Sequence, residues 1–188
     1  LSTDEVTQFF DTLPNTTIVQ STVLMSLFEI TRKNKADKLL MSYIRKRLAL
    51  LDYSQLDNGR NIHDEYIISE LIKSSFSKED GVTEATIIFQ HINSLISERH
   101  ITFYPYKGIL IPLIKLYPKE FLNIFIDYKE KSNWEKIYFF RRNLNLNPNV
   151  LSYIEDNELI EWIEENKKIQ ELSYIIEPYV FDKANDYE

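Results

Sequence analysis

Apolar residues recur every three or four positions along most of the chain, which is the spacing that lines one side of an α-helix. The clearest example begins after Ala36, with apolar side chains at Leu40, Tyr43, Ile44, Leu48 and Leu51. Another begins at Thr83, and we expect its inner side to consist of Ile87, Ile88, Ile92, Leu95 and Ile96. Both stretches predict amphipathic helices that bury one face.

Turn residues divide this pattern into about ten or eleven short helices. The first helices are separated by Pro14, the Asp57-Asn58-Gly59 turn, the stretch from Ser77 to Gly81 and a Tyr104-Pro105-Tyr106 linker. Beyond Pro118, short helices are predicted at 134–142, 148–154, 157–165 and 168–181. The segment 18–33 has a competing interpretation, because the β-branched residues at its start also suit a strand.

Short helices with brief links predict an all-α fold of about ten antiparallel helices. Its architecture is either a degenerate α-solenoid of the HEAT or TPR kind or a compact helical bundle. We expect a single α-helical domain over 1–188, with a possible subdivision near 100–106. The predicted core includes Leu40, Ile44, Leu71, Ile92, Ile114, Phe121 and Trp162.

Composition agrees with a helical, globular protein. The 188 residues are 44% hydrophobic and 27% charged, and they include only 3 glycines and 6 prolines, too few for the many turns of a β-sandwich. No cysteine is present, which excludes disulfides and thiol chemistry.

No apolar run reaches the ~20 residues of a membrane span, so we expect a cytoplasmic protein with no membrane contact. Because the chain begins with Leu1 and ends in a polar string, we expect it to be a piece of a larger protein.

The charge is distributed unevenly. The net charge is −7, yet residues 1–149 carry 19 basic and 18 acidic residues, whereas 150–188 carry 3 and 11. Against this trend stands a basic segment, which comprises Arg32, Lys33, Lys35, Lys38, Arg45, Lys46 and Arg47. It is either the solvated side of an amphipathic helix or a patch that binds nucleic acid or an acidic protein.

Residues for catalysis are scarce. The three histidines, His63, His91 and His100, lack the spacing with which one helix offers two metal ligands. The three glycines are too far apart for a phosphate-binding loop or a serine nucleophile elbow. Six carboxylates lie between Glu155 and Glu165, but their spacing is that of a solvated helix face. We therefore expect no enzyme, no metal and no cofactor within this chain.

Aromatic residues and arginine are enriched at protein-binding hot spots. The residues that could act this way here are Tyr104 and Tyr106 in the linker, and Arg141 and Arg142 beside a pair of phenylalanines. These four are the candidate contacts for a protein partner. The alternative for the tyrosines is that each covers a helix end with its ring.

A family resemblance covers roughly residues 105–181. It rests on Tyr117-Pro118-Lys119-Glu120-Phe121-Leu122, on Asn147-Pro148 followed by the helix ending at Trp162-Ile163, and on Ile175-Ile176-Glu177-Pro178-Tyr179. This text resembles the degenerate helical repeats near the C-terminus of large bacterial STAND-type, NACHT-like NTPases of antiphage defence. The resemblance implies a sensor or scaffold arm whose partner is a phage protein or a sister subunit. The NTPase and effector domains would then lie outside this chain.

Taken together, these observations predict a non-catalytic helical-repeat module for protein–protein recognition. The alternative is a helical module that binds nucleic acid through the basic segment at 32–47. The two differ in how salt affects binding, because contacts to phosphates release counterions.

Overall fold

The computed structural model describes residues 3–14, 17–32, 38–58, 62–99, 104–125 and 154–166. Within these ranges the protein forms eight α-helices and no strand, apart from one isolated bridge between Ser77 and Asp80. The all-α prediction is confirmed for this part of the chain. The predicted helices at 134–142 and 168–181 lie outside the described residues, as does the one at 148–154 apart from its last residue.

The α-helices are α1 (Thr3–Asp11), α2 (Thr17–Arg32), α3 (Lys38–Ala49), α4 (Ile62–Ser75), α5 (Val82–Arg99), α6 (Lys107–Leu116), α7 (Pro118–Phe125) and α8 (Asp156–Glu165). Two short 3₁₀ helices connect them, at Tyr53–Asn58 and Tyr104–Tyr106. The alternative of a strand in segment 18–33 is wrong. Ser21, Leu24 and Phe28 of α2 are buried at intervals of three and four, so the helical period decides over the β-branched residues.

The helices pack mainly against the next but one along the chain. In what we call the first row, α2 packs against α4 and α4 against α6. In the second row, α3 packs against α5 and α5 against α7, and the row continues with a contact between α7 and α8, which are consecutive among the described helices. The rows meet where α3 contacts α4 and where α6 contacts α7, while α1 reaches the second row through a ring contact between Phe10 and Tyr43.

Both rows bury their apolar residues in one hydrophobic core. Of the seven predicted core residues, six are buried, and Leu40 is only partly buried at its edge. Ile87 was expected on the inner side of its helix, but 41% of it is exposed. It directly precedes the buried Ile88, so it lies about 100° around the helix from that residue and on the side away from the buried stripe.

Contacts cross the region 100–106. The Tyr106 hydroxyl donates a hydrogen bond to the backbone carbonyl of Tyr53 at 3.3 Å. The backbone N–H of Gly108 donates to Oε1 of Glu65 at 2.6 Å, so a carboxylate from α4 accepts from the first turn of α6. The start of α6 is therefore tied to α4 and to the first 3₁₀ helix.

Candidate functional site

The arginines of the basic segment are engaged within the molecule. Arg45 Nη1 donates to the backbone carbonyl of Ser75 at 2.6 Å, at the end of α4. The guanidinium of Arg47 lies 5.1 Å above the ring of Phe10 and within 3.5 Å of Asp11 Oδ1 and Gln20 Oε1. Only 16% of the Arg47 side chain is exposed. These two arginines connect α3 to its neighbours.

Two lysines of the segment remain at the surface. Lys38 and Lys46 are exposed, and neither has an ion pair or side-chain hydrogen bond among the described residues. Lys33 and Lys35 lie outside the described residues, as does the side chain of Arg32. In the described part of the basic segment, fewer cationic side chains are therefore exposed than the sequence predicts.

The turn between α4 and α5 gathers several polar groups close to Arg45. Ser77 and Asp80 exchange two backbone hydrogen bonds, of 3.1 and 3.2 Å, and their carbonyls lie 2.5 and 2.6 Å from the Tyr117 hydroxyl. That hydroxyl has one proton, so it donates to one carbonyl at a time. Burial raises the pKa of Tyr117 to about 12, which keeps it protonated as a donor. The contacts among Ser77, Asp80 and Tyr117 stabilise the turn, and the Tyr117 hydroxyl is not a free nucleophile.

The four candidate contact residues do not form a described surface. Tyr106 is fully buried, so the expectation that it contacts a partner is corrected: its ring belongs to the core, where its hydroxyl finds a backbone acceptor. Tyr104 begins the second 3₁₀ helix, and its side chain lies outside the described residues. Arg141 and Arg142 lie outside them as well.

The acidic helix α8 is held against α7. The indole Nε1 of Trp162 donates to Asn123 Oδ1 at 2.8 Å, and Trp162 is almost fully buried. Lys119 of α7 lies 3.0 Å from Glu161 and 3.7 Å from Glu165. Carboxylates on this helix therefore serve as partners for lysines of neighbouring elements.

Groups that could hold a metal are missing from the described ranges, where no three His, Asp or Glu side chains converge on one point. His91 packs edge-on against the Tyr53 ring, with 5.7 Å between the ring centroids. Burial raises the pKa of Tyr53, whose hydroxyl donates to the Leu48 carbonyl at 2.8 Å. Neither ring faces a set of ligands.

Over the described ranges, no helix has the length and apolar character needed to cross a membrane.

A group of exposed apolar residues is the feature that the sequence pattern did not reveal. Seven large apolar side chains of the described residues are exposed, and five of them lie on or directly beside helices of the second row. Those five are Leu39, Leu50, Val82, Ile87 and Ile160. Phe9 and Tyr66 are the other two, on α1 and α4. On a helical wheel, Leu39 and Ile87 lie on the side opposite the buried residues of their helices. This angular position is the sequence signal that could have identified them as exposed.

Comparisons with protein-family models, with curated proteins and with solved structures each give no match.

Proposed function

We propose that this chain is a non-catalytic helical-repeat module that recognises other proteins. The observation that carries the proposal is the exposed apolar group on the second row, which includes Leu39, Leu50 and Ile87. Single exposed apolar residues are ordinary on soluble proteins, whereas several on helices that pack side by side favour a protein-binding surface. The surface of the second row is the recognition surface in this proposal.

The packing order supports the repeat part of the proposal. In stacked helix pairs each helix contacts the equivalent helix of the next pair, which is the next-but-one contact seen in both rows. Such stacks offer long outer faces to partners. The resemblance of residues 105–181 to repeats of antiphage NTPases adds a setting, in which the module is a sensor or scaffold arm of a bacterial defence protein.

Nucleic-acid binding is the less favoured function. It requires side chains that reach phosphates, and Arg45 and Arg47 are engaged with Ser75, Phe10, Asp11 and Gln20. Lys38 and Lys46 are the remaining exposed cations of the described segment.

Photo-crosslinking from single positions tests the proposal. A photoreactive residue at Ile87 on α5 is compared with one at Tyr66 on α4, since both side chains are exposed and they belong to different rows. We expect a protein adduct from Ile87 and none from Tyr66 when the protein is irradiated in cells of its host. Adducts that contain RNA or DNA in place of protein, or equal yields at both positions, would contradict protein recognition by the second row.

A further inference from the structure

The outer face of the second row changes charge from one end to the other. At the α3 end, Lys38 and Lys46 are exposed, and α3 contains no acidic residue. At the α8 end, Glu155–Glu165 contains six carboxylates and no basic residue. Between them, the exposed residues of α5 from position 82 to 97 are all uncharged: Val82, Thr83, Ile87, Gln90, Ser94 and Ser97. The exposed charge is therefore basic on α3, absent on α5 from position 82 to 97 and acidic on α8, while charges of both signs lie in the turn before α5 and on α7, at Lys78, Glu79, Asp80, Lys119 and Glu120.

The acidic end keeps an excess of negative charge. Lys78 lies 3.5 and 3.8 Å from Glu155 and Glu158, and Lys119 lies near two further glutamates of α8. Glu164 is exposed and has no ion pair within the part of the chain that the structure describes. It is the counterpart of Lys46 at the opposite end of the row.

We infer that the second row pairs two copies of this chain about a two-fold axis, with α3 of one copy against α8 of the other. The inference rests on the proposed function and names the partner as a second copy. A two-fold axis brings each end of a face to the opposite end of the same face in the other copy. Because the ends carry opposite charges, both contacts are attractive. In this arrangement α5 of one copy lies opposite α7 of the other, so the exposed side chains of α5 bring no charge against Lys119 and Glu120 of α7.

The apolar residues and the size of the face suit such a dimer. Leu39 and Leu50 are 66% and 65% exposed at the basic end, and Ile160 is 57% exposed at the acidic end. Pairing would remove these side chains from water. Packed helices lie about 10 Å apart, so four helices of roughly 12–27 Å present on the order of 800 Å², close to what one partner buries in a standard interface.

Charge reversal combined with sedimentation velocity tests the inference on the full 188-residue chain. The wild type is expected to form a dimer, to stop at the dimer, and to dissociate more as salt is added. Lys46→Glu and Glu164→Lys should each raise the dissociation constant about tenfold or more, because each change acts at both symmetric contacts. The double variant in one chain should restore the dimer, and so should an equal mixture of the two single variants.

Lys115→Glu is the matched control, because it reverses an exposed charge on α6 in the first row. It should leave the dimer unchanged, and circular dichroism should show each variant folded. A wild type that stays monomeric, a dimer that ignores Lys46→Glu, or a double variant that remains monomeric overturns the inference. A monomeric chain that still gives a protein adduct at Ile87 would overturn the dimer but support protein recognition.

Discussion

Gly81 occupies a constrained position in the turn between α4 and α5. Its φ is +112°, a backbone conformation that side chains disfavour. A Cβ there would lie 2.6 Å from Cδ1 of Phe76 and 2.7 Å from Cδ of Arg45. The Arg45 guanidinium donates a hydrogen bond to the Ser75 carbonyl at the end of α4, so the arginine side chain cannot move away from the new Cβ without losing that bond.

We expect Gly81→Ala to lower the free energy of unfolding by about 1–3 kcal/mol, through backbone strain and the two close contacts. Gly108→Ala is the comparison. Its Cβ would lie 2.8 Å from Oε1 of Glu65, and moving that carboxylate would weaken its hydrogen bond from the Gly108 N–H, but Gly108 lies in a helix without a left-handed φ, where alanine is favoured, so we expect a smaller loss. Urea unfolding followed by circular dichroism compares the two. Equal losses from both substitutions would mean that the turn is not strained by a side chain at Gly81.

Two carboxyls should give opposite pH dependences of stability. Hydrogen bonds from Ser54 lower the pKa of Asp52, which precedes the first 3₁₀ helix and also accepts from Gln55 Nε2 at 3.2 Å. Burial raises the pKa of Glu65, although the Gly108 N–H partly offsets this. A lowered pKa stabilises the fold above the unfolded-state value, and this contribution is lost as the pH falls through the folded-state value. A raised pKa stabilises the fold below the unfolded-state value, and this contribution is lost as the pH rises through the folded-state value.

Asp52→Ala should therefore cost about 1 kcal/mol at neutral pH, as for loss of a cap, and much less near pH ~3. Relative to Glu65→Gln, the wild type should gain stability as the pH falls from neutral through the folded-state pKa of Glu65, which lies above the ordinary value of a glutamate. Unfolding curves recorded at several pH values measure both differences. If the two differences moved in the same direction with pH, the environment assigned to one of the carboxyls would be wrong.

The sequence predicts which apolar residues are buried. It does not predict which polar residues are engaged inside the molecule. Ile44, Leu71 and Trp162 follow from helical spacing, because the period alone fixes the buried side. The engagement of Arg45 does not follow, since its acceptor at Ser75 lies on another helix, 30 residues away. For the same reason, the linker position of Tyr106 suits either a partner contact or a ring over a helix end, since nothing local indicates that its hydroxyl meets a carbonyl 53 residues earlier.

Among the elements, α8 is attached to α7 by one specific hydrogen bond and by burial. Trp162 and Leu159 are buried, while the bond from the indole N–H to Asn123 Oδ1 sets the position of α8 along α7. The Lys119 pairs with Glu161 and Glu165 involve largely exposed groups, which contribute little in water. Apolar burial and the indole bond should therefore dominate the attachment.

A double-mutant cycle on Trp162 and Asn123 measures this bond. Trp162→Phe keeps a large ring but removes the donor, and Asn123→Ala removes the acceptor. We expect a coupling of about 0.5–1.5 kcal/mol between the two substitutions, since each one alone already breaks the bond. Lys119→Ala, on the same face of α7, should change stability little. A coupling near zero would mean that α8 is positioned by other contacts.

Helix positions along the chain were predictable, whereas their pairing was not. The segments around α3, α4, α5 and α7 follow from spacing and from turn residues such as Pro118. Which helices pack together depends on contacts distant in sequence. The next-but-one order is set by these distant contacts, and both a solenoid and a bundle are compatible with the same helix lengths.

At the scale of the whole molecule, the net charge of −7 and the packing of the basic segment act together. A nucleic acid approaching α3 meets Lys38 and Lys46, while Arg45 and Arg47 are already engaged. The acidic end of the second row repels phosphates at the same time. Long-range charge and local contacts thus oppose nucleic-acid binding together.

We therefore expect weak nucleic-acid binding. The logarithm of the binding constant should fall with the logarithm of the salt concentration with a slope of about 2 at most from this surface, because each phosphate contact contributes nearly one unit to that slope. Fluorescence anisotropy with labelled single- and double-stranded DNA between ~50 and ~200 mM salt measures the slope. Lys38→Ala with Lys46→Ala should abolish this contribution, and Lys115→Ala on α6 is the matched control. A slope of 5 or more (~5 phosphate contacts) that the double substitution reduces by about 2 would mean that the remaining cations of segment 32–47 also reach phosphates. Nucleic acid would then replace protein as the partner of this surface.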